Sequence, residues 1–252
     1  MGKLKSRLFL WIERALARCT DKIVCISEAE QESALRNNIV ERDKLDIILN
    51  GIDIQAIANT APFTRSELGI PEDAFLVGMV GRIAPQKAPD TFIKAARLIK
   101  ERIPNAWFMI VGDGEQREEI ELYATENSIP LHITGWTETP YRYMKIFDVG
   151  LLLSRWEGFG LVIAEYMAAG KNFVATRVDA IPTIVQDAID GVLVEVDNPG
   201  QVADAVWKLY SDKEWATCLR NKAIKSAYGK FDIHRVAEQH ISLFNEVIKK
   251  KR

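Results

Sequence analysis

Eight short apolar runs alternate with longer amphipathic stretches along this chain, and that alternation restricts its fold more than any other feature. The runs are KIVCIS (22–27), LDIILN (45–50), FLVGMVG (75–81), WFMIVG (107–112), LHITG (131–135), VGLLLS (149–154), NFVAT (172–176) and GVLVE (191–195). Several are apolar almost throughout, the pattern of strands covered on both faces. Helices are expected at 88–102, 115–127, 139–147, 160–169, 199–211, 213–229 and 232–250. Strand, helix, strand repeated in this order implies an α/β fold with a doubly wound parallel sheet and right-handed crossovers, Rossmann-like in type.

The alternation breaks once. NGIDIQAIANTAPFTRSELGIPEDA carries Gly51, Pro62, Gly69 and Pro71 and separates two strand-bearing blocks. The block before it, residues 1–50, offers two strands and two helices, too little to close a core alone. One complete α/β domain preceded by a remnant of another is therefore expected. Its parts are a leading block at 1–50, a linker at 51–73, the main domain at 74–230 and a terminal helix at 231–252. The closing KKKR reads as a solvated helix end whose charges suit the C-terminal dipole.

A net charge of -2 gives no electrostatic case for nucleic-acid binding. Cys19, Cys25 and Cys218 are dispersed and form no Cys-x-x-Cys pair, which argues against a disulfide framework and a zinc site and fits a reducing cytoplasm. No stretch approaches the ~20 apolar residues of a membrane span. The start, MGKLKSRLFLWIERALARC, sets Leu4, Leu8, Trp11, Ile12 and Leu16 at helical spacing among Lys3, Lys5, Arg7, Arg14 and Arg18. Such a helix can lie on an anionic membrane surface, but packing its apolar stripe on the domain is the preferred expectation.

Ligands of doubly wound sheets bind outside the carboxyl ends of the strands. At one such end, VGRIAPQK places Arg82 and Lys87 in the loop after a strand. A guanidinium fork and an ammonium suit a diphosphate, although solvated loop cations would read the same way. The loop has neither Gly-x-Gly-x-x-Gly nor a Walker lysine motif. VGDGEQ and ITGW end the next strands in glycine-rich turns, which admit a ligand's close approach or a tight turn equally well. In SRWEGFGLVIAEYMAAGKN, Glu157 precedes a Gly-Phe-Gly turn and Glu165 lies eight positions later in an apolar helix. Taken alone, they are a surface acid and a paired helix acid.

Taken in order, VGRIAPQK, MIVGDGEQREEIE, ITGW, SRWEGFGLVIAEYMAAGK and DAIPTIVQDAIDGVLVEVDN resemble the retaining family 4 glycosyltransferases, whose GT-B fold joins two Rossmann-like domains. TDKIVCISEAEQ and IILNGID resemble the end of that family's N-terminal acceptor domain and its hinge, so the chain would supply the C-terminal half of a GT-B fold. The resemblance implies a hexosyltransferase that moves sugar, with retention, from a nucleoside diphosphate sugar (UDP the expected base) to a saccharide or lipid acceptor in cell-surface polysaccharide or glycoconjugate synthesis. It carries catalytic roles onto Arg82 and Lys87, at the diphosphate, and Glu157, at the sugar hydroxyls. It carries donor contacts onto the backbone of Gly158, Phe159, Gly160 and Leu161, onto Glu165 at the ribose, and onto Ile133 and Thr134 at the base. No metal or other cofactor is implied: there is no Asp-x-Asp, and the two cations can replace a divalent ion.

The departures from that pattern are specific. The acceptor site, glycine-rich loop and histidine of the family's first domain have no counterpart, since His132, His234 and His240 lie elsewhere. GKNFVATRVDAIP departs from the usual GKPVVASDVGGIP, with Asn172 for a proline and Asp179-Ala180 for a glycine pair. The expected partners are therefore a nucleotide-sugar, an acceptor and a separate protein carrying the first half-domain. The expected place is the cytoplasm, with peripheral contact at the inner membrane face as an option. The alternative function is a non-catalytic nucleotide-sugar binding or assembly module.

Overall fold

The computed structural model describes residues 3–250, without the side chains of residues 3, 4 and 6. The expected parts of Lys3 and Leu4 in the basic helix, and the last two residues of KKKR, lie outside the described residues. In chain order the elements are α1 (Lys3–Ala17), β1 (Ile23–Cys25), α2 (Glu28–Arg36), β2 (Leu45–Ile47), α3 (Ile54–Asn59), β3 (Phe75–Val80), α4 (Pro89–Arg102), β4 (Ala106–Val111), α5 (Arg117–Glu126), β5 (Leu131–Ile133), α6 (Pro140–Met144) and β6 (Val149–Leu152). There follow α7 (Leu161–Ala168), β7 (Asn172–Thr176), α8 (Ile181–Ile184), β8 (Val192–Val194), α9 (Pro199–Ser211), α10 (Lys213–Lys230) and α11 (Ile233–Lys250). All eight anticipated strands form, mostly shorter than the apolar runs that signalled them.

The chain divides into two compact units, one from the described parts of Met1–Gly51 with Lys230–Arg252, the other Ile52–Gly229. In the first, β1 and β2 form a two-stranded parallel pair, Ile23 opposite Leu45 and Cys25 opposite Ile47. Ser27 caps α2 by accepting from the Glu30 amide at 3.2 Å, while Glu30 accepts from the Ile26 amide at 2.8 Å. Ile48, Val236 and Leu243 form its small core. The apolar stripe of α1 does not pack on the domain as expected. Trp11 is 68% exposed, Leu8, Ile12 and Leu16 are also exposed, and among the described side chains of α1 only Ala17 is buried. A two-stranded sheet has too little apolar surface to cover a four-turn helix.

The second unit holds a six-stranded, all-parallel sheet in the order β5-β4-β3-β6-β7-β8. Alternating strand residues divide between its faces. Val77, Met79, Phe108, Ile110, Val149, Leu151 and Val174 pack with Phe92, Ile93 and Ile99 of α4 and Val202, Val206 and Leu209 of α9. On the opposite face Tyr166 of α7 stands between the rings of Phe147 and Phe173. Residues 52–73, expected as a linker, belong to this unit. Arg65 donates to Asp148 and to the Glu72 carbonyl at 2.8 Å each, and Arg142 lies over the Phe63 ring at 3.7 Å. Two helices in it, α3 and α8, were not anticipated, because four to six residues show too little of the helical period to be read.

Strand order reverses at β3 and β6. After β3 the chain winds outward through β4 and β5, then returns to place β6 on the other side of β3. The pairing of β3 with β6 covers only Val77–Met79 with Val149–Leu151, so their carboxyl ends part. Tyr166 fills the divergence. Its hydroxyl accepts from the Val80 amide at 3.2 Å and donates to the Leu151 carbonyl at 3.4 Å. Full burial pushes this phenol's pKa far up, keeping it a neutral bridge.

Candidate functional site

The loops after β3 and β6 face each other across that divergence, the crevice where doubly wound sheets bind ligands. The first runs from Gly81 through a single 3-10 turn, Pro85–Lys87, into α4 at Pro89. The second runs from Leu153 to Gly160, which caps α7 at a φ of +86°. A side chain at Gly160 would be strained by that φ and would meet Ile181 at 2.7 Å, so the turn is built for glycine.

Lys87 and Glu157 meet across the crevice, the ammonium donating to Oε2. Ser154 Oγ donates to the same oxygen at 3.0 Å. Both charged side chains are largely covered, 19% and 12% exposed, and Oε1 of Glu157 has no partner among the described residues. The Glu157 amide donates to Asp179 Oδ2 at 2.8 Å, tying this turn to the one after β7. Arg82 is exposed, and its guanidinium makes one long contact, 3.5 Å to Gln86. The structure thus brings Lys87 and Glu157 together and leaves Arg82 at the rim, able to take an anion.

Glu165 lies one turn into α7 from the same loop. Tyr141 of α6 donates to its Oε1 at 3.0 Å, leaving Oε2 open. Burial raises the Glu165 carboxyl above its ordinary value, and the Tyr141 hydroxyl partly reverses the shift. Burial and the neighbouring Glu165 charge push the Tyr141 phenol up in turn. Phe159 is buried, while Gly158 and Leu161 are exposed at the start of α7. Two strands from β3, Ile133 ends β5 and Thr134 follows, its amide donating to Ile110 at 3.0 Å and its hydroxyl to Gly135 at 2.8 Å.

The glycines of VGDGEQ serve the protein's own backbone. A Cβ at Gly112 would stand 2.0 Å from the Gly81 carbonyl oxygen, and one at Gly114 2.3 Å from that of Ile83. The Ile83 amide donates to Asp113 at 2.9 Å and the Gln116 amide to Ile83 at 3.1 Å, closing the loop after β4 onto the loop after β3.

Sequence reasoning missed Arg155, which ties these loops together. It donates to the Pro85 carbonyl at 2.8 Å, to both oxygens of Asp90 at 2.8 Å, and to those of Asp197 at 2.9 and 3.1 Å. Its amide donates to the Gln86 carbonyl at 2.8 Å, and Gln86 returns a bond to the Trp156 carbonyl at 3.1 Å. Asp197 also accepts from Thr91 at 3.0 Å, and Arg155's bond holds its carboxyl below the ordinary value. Nothing local marks Arg155, whose partners lie 42 to 70 residues away. Among the described residues no group of His, Cys, Asp and Glu is arranged to hold a metal ion, and no helix is long and apolar enough to cross a membrane.

Over 252 aligned residues the chain is 29% identical to the UDP-Gal:alpha-D-GlcNAc-diphosphoundecaprenol alpha-1,3-galactosyltransferase of Escherichia coli, an alignment covering 97% of this chain and 65% of that enzyme. It is 27% identical to the D-inositol 3-phosphate glycosyltransferase of Thermobifida fusca, over 86% of this chain and 53% of that one. The chain thus spans about two thirds or less of the length of these curated relatives. Anabaena Alr3699/HepE, solved with UDP and glucose, superposes with a TM-score of 0.84 at 22% identity, covering 94% of this chain and 66% of that one. The C-terminal domain of a group 1 glycosyl transferase (LpcC) from Francisella tularensis is matched over its full length and 73% of this chain, with a TM-score of 0.65 at 25% identity. The fold is the C-terminal half of a GT-B fold. A Glycosyltransferase Family 4 model matches residues 2–56 and the Glycosyl transferases group 1 model residues 61–229, across the six-stranded sheet and every loop of the crevice, and the chain belongs to that group 1 family.

Proposed function

We propose that the second unit binds a UDP-sugar along the carboxyl edge of its sheet and acts as the donor half of a retaining hexosyltransferase in cell-surface glycan synthesis. The observation that carries this reading is the Lys87–Glu157 pair across the switch point, with an open carboxylate oxygen on Glu157 and an uncommitted Arg82 beside it. The base lies at Ile133 and Thr134, the ribose at Oε2 of Glu165, the diphosphate between Arg82 and Lys87, and the sugar at Glu157. Adjacent strands lie ~4.8 Å apart, so the ends of β5 and β6, three steps apart, are separated by roughly 14 Å, the scale of an extended nucleoside diphosphate sugar.

In this reading Arg82 and Lys87 offset the charge that develops on the departing diphosphate. The start of α7 directs its free amides and positive dipole end toward the same anion. Glu157 orients the sugar by accepting from its hydroxyls, and Lys87 and Ser154 fix that carboxylate by holding its other oxygen. The two cations supply this electrostatic role without a metal, so binding and transfer should be unchanged by a chelator.

The acceptor is a saccharide or a lipid-linked saccharide, and a complementary α/β half completes its site. The exposed apolar residues of α1 and the two-stranded parallel pair in the first unit support that requirement, since parallel sheets are stable when covered on both faces. Lys5, Arg7 and Arg14 on α1, with Arg18 just after it, would suit peripheral contact with an anionic membrane.

Calorimetric titration with UDP and UDP-sugars tests the donor site. Arg82→Ala and Glu165→Gln should each weaken UDP by roughly tenfold or more, about 1.5–3 kcal/mol for a lost charged hydrogen bond. Affinity equal to that of the unaltered protein in both variants would refute the assignment. Sugar transfer to a diphospholipid-linked saccharide, with the complementary half supplied, separates the enzyme from a binding module, which would hold donor and transfer nothing.

A further inference from the structure

Asp179 stands where the turn after β7 meets the Glu157 turn, and its setting is unusual in two respects. Its backbone lies at a φ of +43°, a conformation that glycine adopts freely and aspartate only at a cost. It is exposed, and its carboxylate makes one hydrogen bond, from the Glu157 amide to Oδ2 at 2.8 Å, leaving Oδ1 without a partner among the described residues.

The neighbouring cations are committed elsewhere. Lys87 is paired with Glu157, Arg155 with Asp90 and Asp197, and Arg177 with Asp187 at 2.6 Å and Glu195 at 3.6 Å. Asp179 therefore has no ion-pair partner among the described residues, and it brings an uncompensated negative charge to the backbone of the residue whose side chain faces the sugar. Arg82, which has no ion pair among the described residues, belongs to the loop after β3, where the diphosphate would sit.

We infer that Asp179 is a specificity-determining residue, which favours a neutral, hydroxyl-bearing hexose on the donor and rejects a sugar carrying a carboxylate. This rests on the donor-site reading above and deepens it by naming the substrate class. A neutral hexose offers hydroxyl donors to the open oxygens of Glu157 and Asp179. A uronic acid sets a third carboxylate beside them with one shared ammonium, that of Lys87, to offset all three. The same bond from the Glu157 amide fixes the turn, so the selecting charge and the sugar-binding carboxylate are held in one arrangement.

Calorimetric titration with UDP, UDP-glucose and UDP-glucuronate tests this in the unaltered protein, Asp179→Asn and Asp179→Gly. Asparagine keeps an acceptor for the Glu157 amide and removes the charge; glycine removes the charge and the backbone strain. The unaltered protein should bind UDP-glucuronate about tenfold more weakly than UDP-glucose, equivalent to ~1.4 kcal/mol. Both variants should narrow that ratio to about threefold or less, ~0.65 kcal/mol. A preference that persists in both variants while UDP still binds, or no preference in the unaltered protein, overturns the inference and leaves the donor site standing. Failure of UDP itself to bind the unaltered protein overturns the donor site and the inference with it.

Discussion

Lys87 and Glu157 are 70 residues apart in sequence and joined by a hydrogen-bonded ion pair between the loops that follow β3 and β6. Each loop alone is a polar excursion; the pair makes them one surface. Both side chains are mostly covered, so removing one partner leaves the other with a desolvation cost that water only partly relieves. Lys87→Met should lower stability by about 1–3 kcal/mol. The double variant Lys87→Met/Glu157→Gln should recover much of that loss, with a coupling above ~0.5 kcal/mol in a urea-denaturation cycle. Simple additivity would show that the pair contributes nothing to holding the crevice.

Arg155 gives a second prediction, with a pH signature. Lysine cannot reproduce a fork that donates to two carboxylates and a carbonyl, so Arg155→Lys should cost roughly 1.5–3 kcal/mol of stability. It should also weaken UDP binding several-fold, because the loop carrying Arg82 and Lys87 loses its anchor at Pro85. Asp197's carboxyl is held below its ordinary value, first by Arg155's hydrogen bond. A depressed carboxyl stabilises the fold above its unfolded pKa, about 3.9, and loses that contribution as pH falls through the lower folded value. The stability gap between the two proteins should therefore narrow below about pH 4, modestly, since Asp197 is half exposed. A gap independent of pH from 6 to 3 would assign the effect to the carbonyl contacts alone.

What the sequence shows and what it hides divide along physical lines. The strands of the six-stranded sheet are legible because a parallel sheet covered on both faces needs apolar runs, which short length and flanking turn residues set apart from a buried helix such as α7. Arg82, Lys87, Glu157 and Glu165 are marked as candidates by the ordered resemblance, since each alone reads as a solvated loop cation or an ordinary acid. Arg155, Tyr141 and Ser154 are not, since their importance comes from partners brought close by the sheet order. The glycines of VGDGEQ suggested room for a ligand, whereas the neighbouring loop's carbonyls occupy that room. The stripe on α1 was legible as amphipathic, but periodicity alone does not say what covers it.

Tyr141 and Glu165 give a prediction of opposite sign to that for Asp197. Burial raises the Glu165 carboxyl and the Tyr141 hydroxyl pulls it back. A raised carboxyl favours the protonated folded state, so its contribution to stability is lost as pH rises through the folded value. Ribose hydroxyls need the ionised acceptor, so UDP affinity should increase as pH climbs through that same value, above the ordinary carboxyl value of about 4.3. Tyr141→Phe should move this acid limb to higher pH, weaken UDP near neutrality and cost about 1–3 kcal/mol of stability, because the buried carboxyl loses its donor. A limb at the same pH in both proteins would mean that Tyr141 does not orient the carboxylate.

Gly114→Ala tests whether the loop after β4 sets the position of the loop after β3. The added methyl would stand 2.3 Å from the Ile83 carbonyl oxygen, a backbone atom that cannot swing aside as a side chain can. The Ile83 oxygen also accepts the Gln116 amide, so relief of the clash must shift the segment leading from Arg82 to Lys87. The expected cost is about 1–3 kcal/mol of stability, the usual range for overpacking. UDP affinity should fall along with it, because the two cations no longer converge on one anion. Glu115→Ala, an exposed change in the same loop, is the control and should alter neither quantity measurably. Unaltered melting and affinity in Gly114→Ala would show that the two loops adjust independently, and the phosphate-binding geometry would then have to come from the β6 side of the crevice alone.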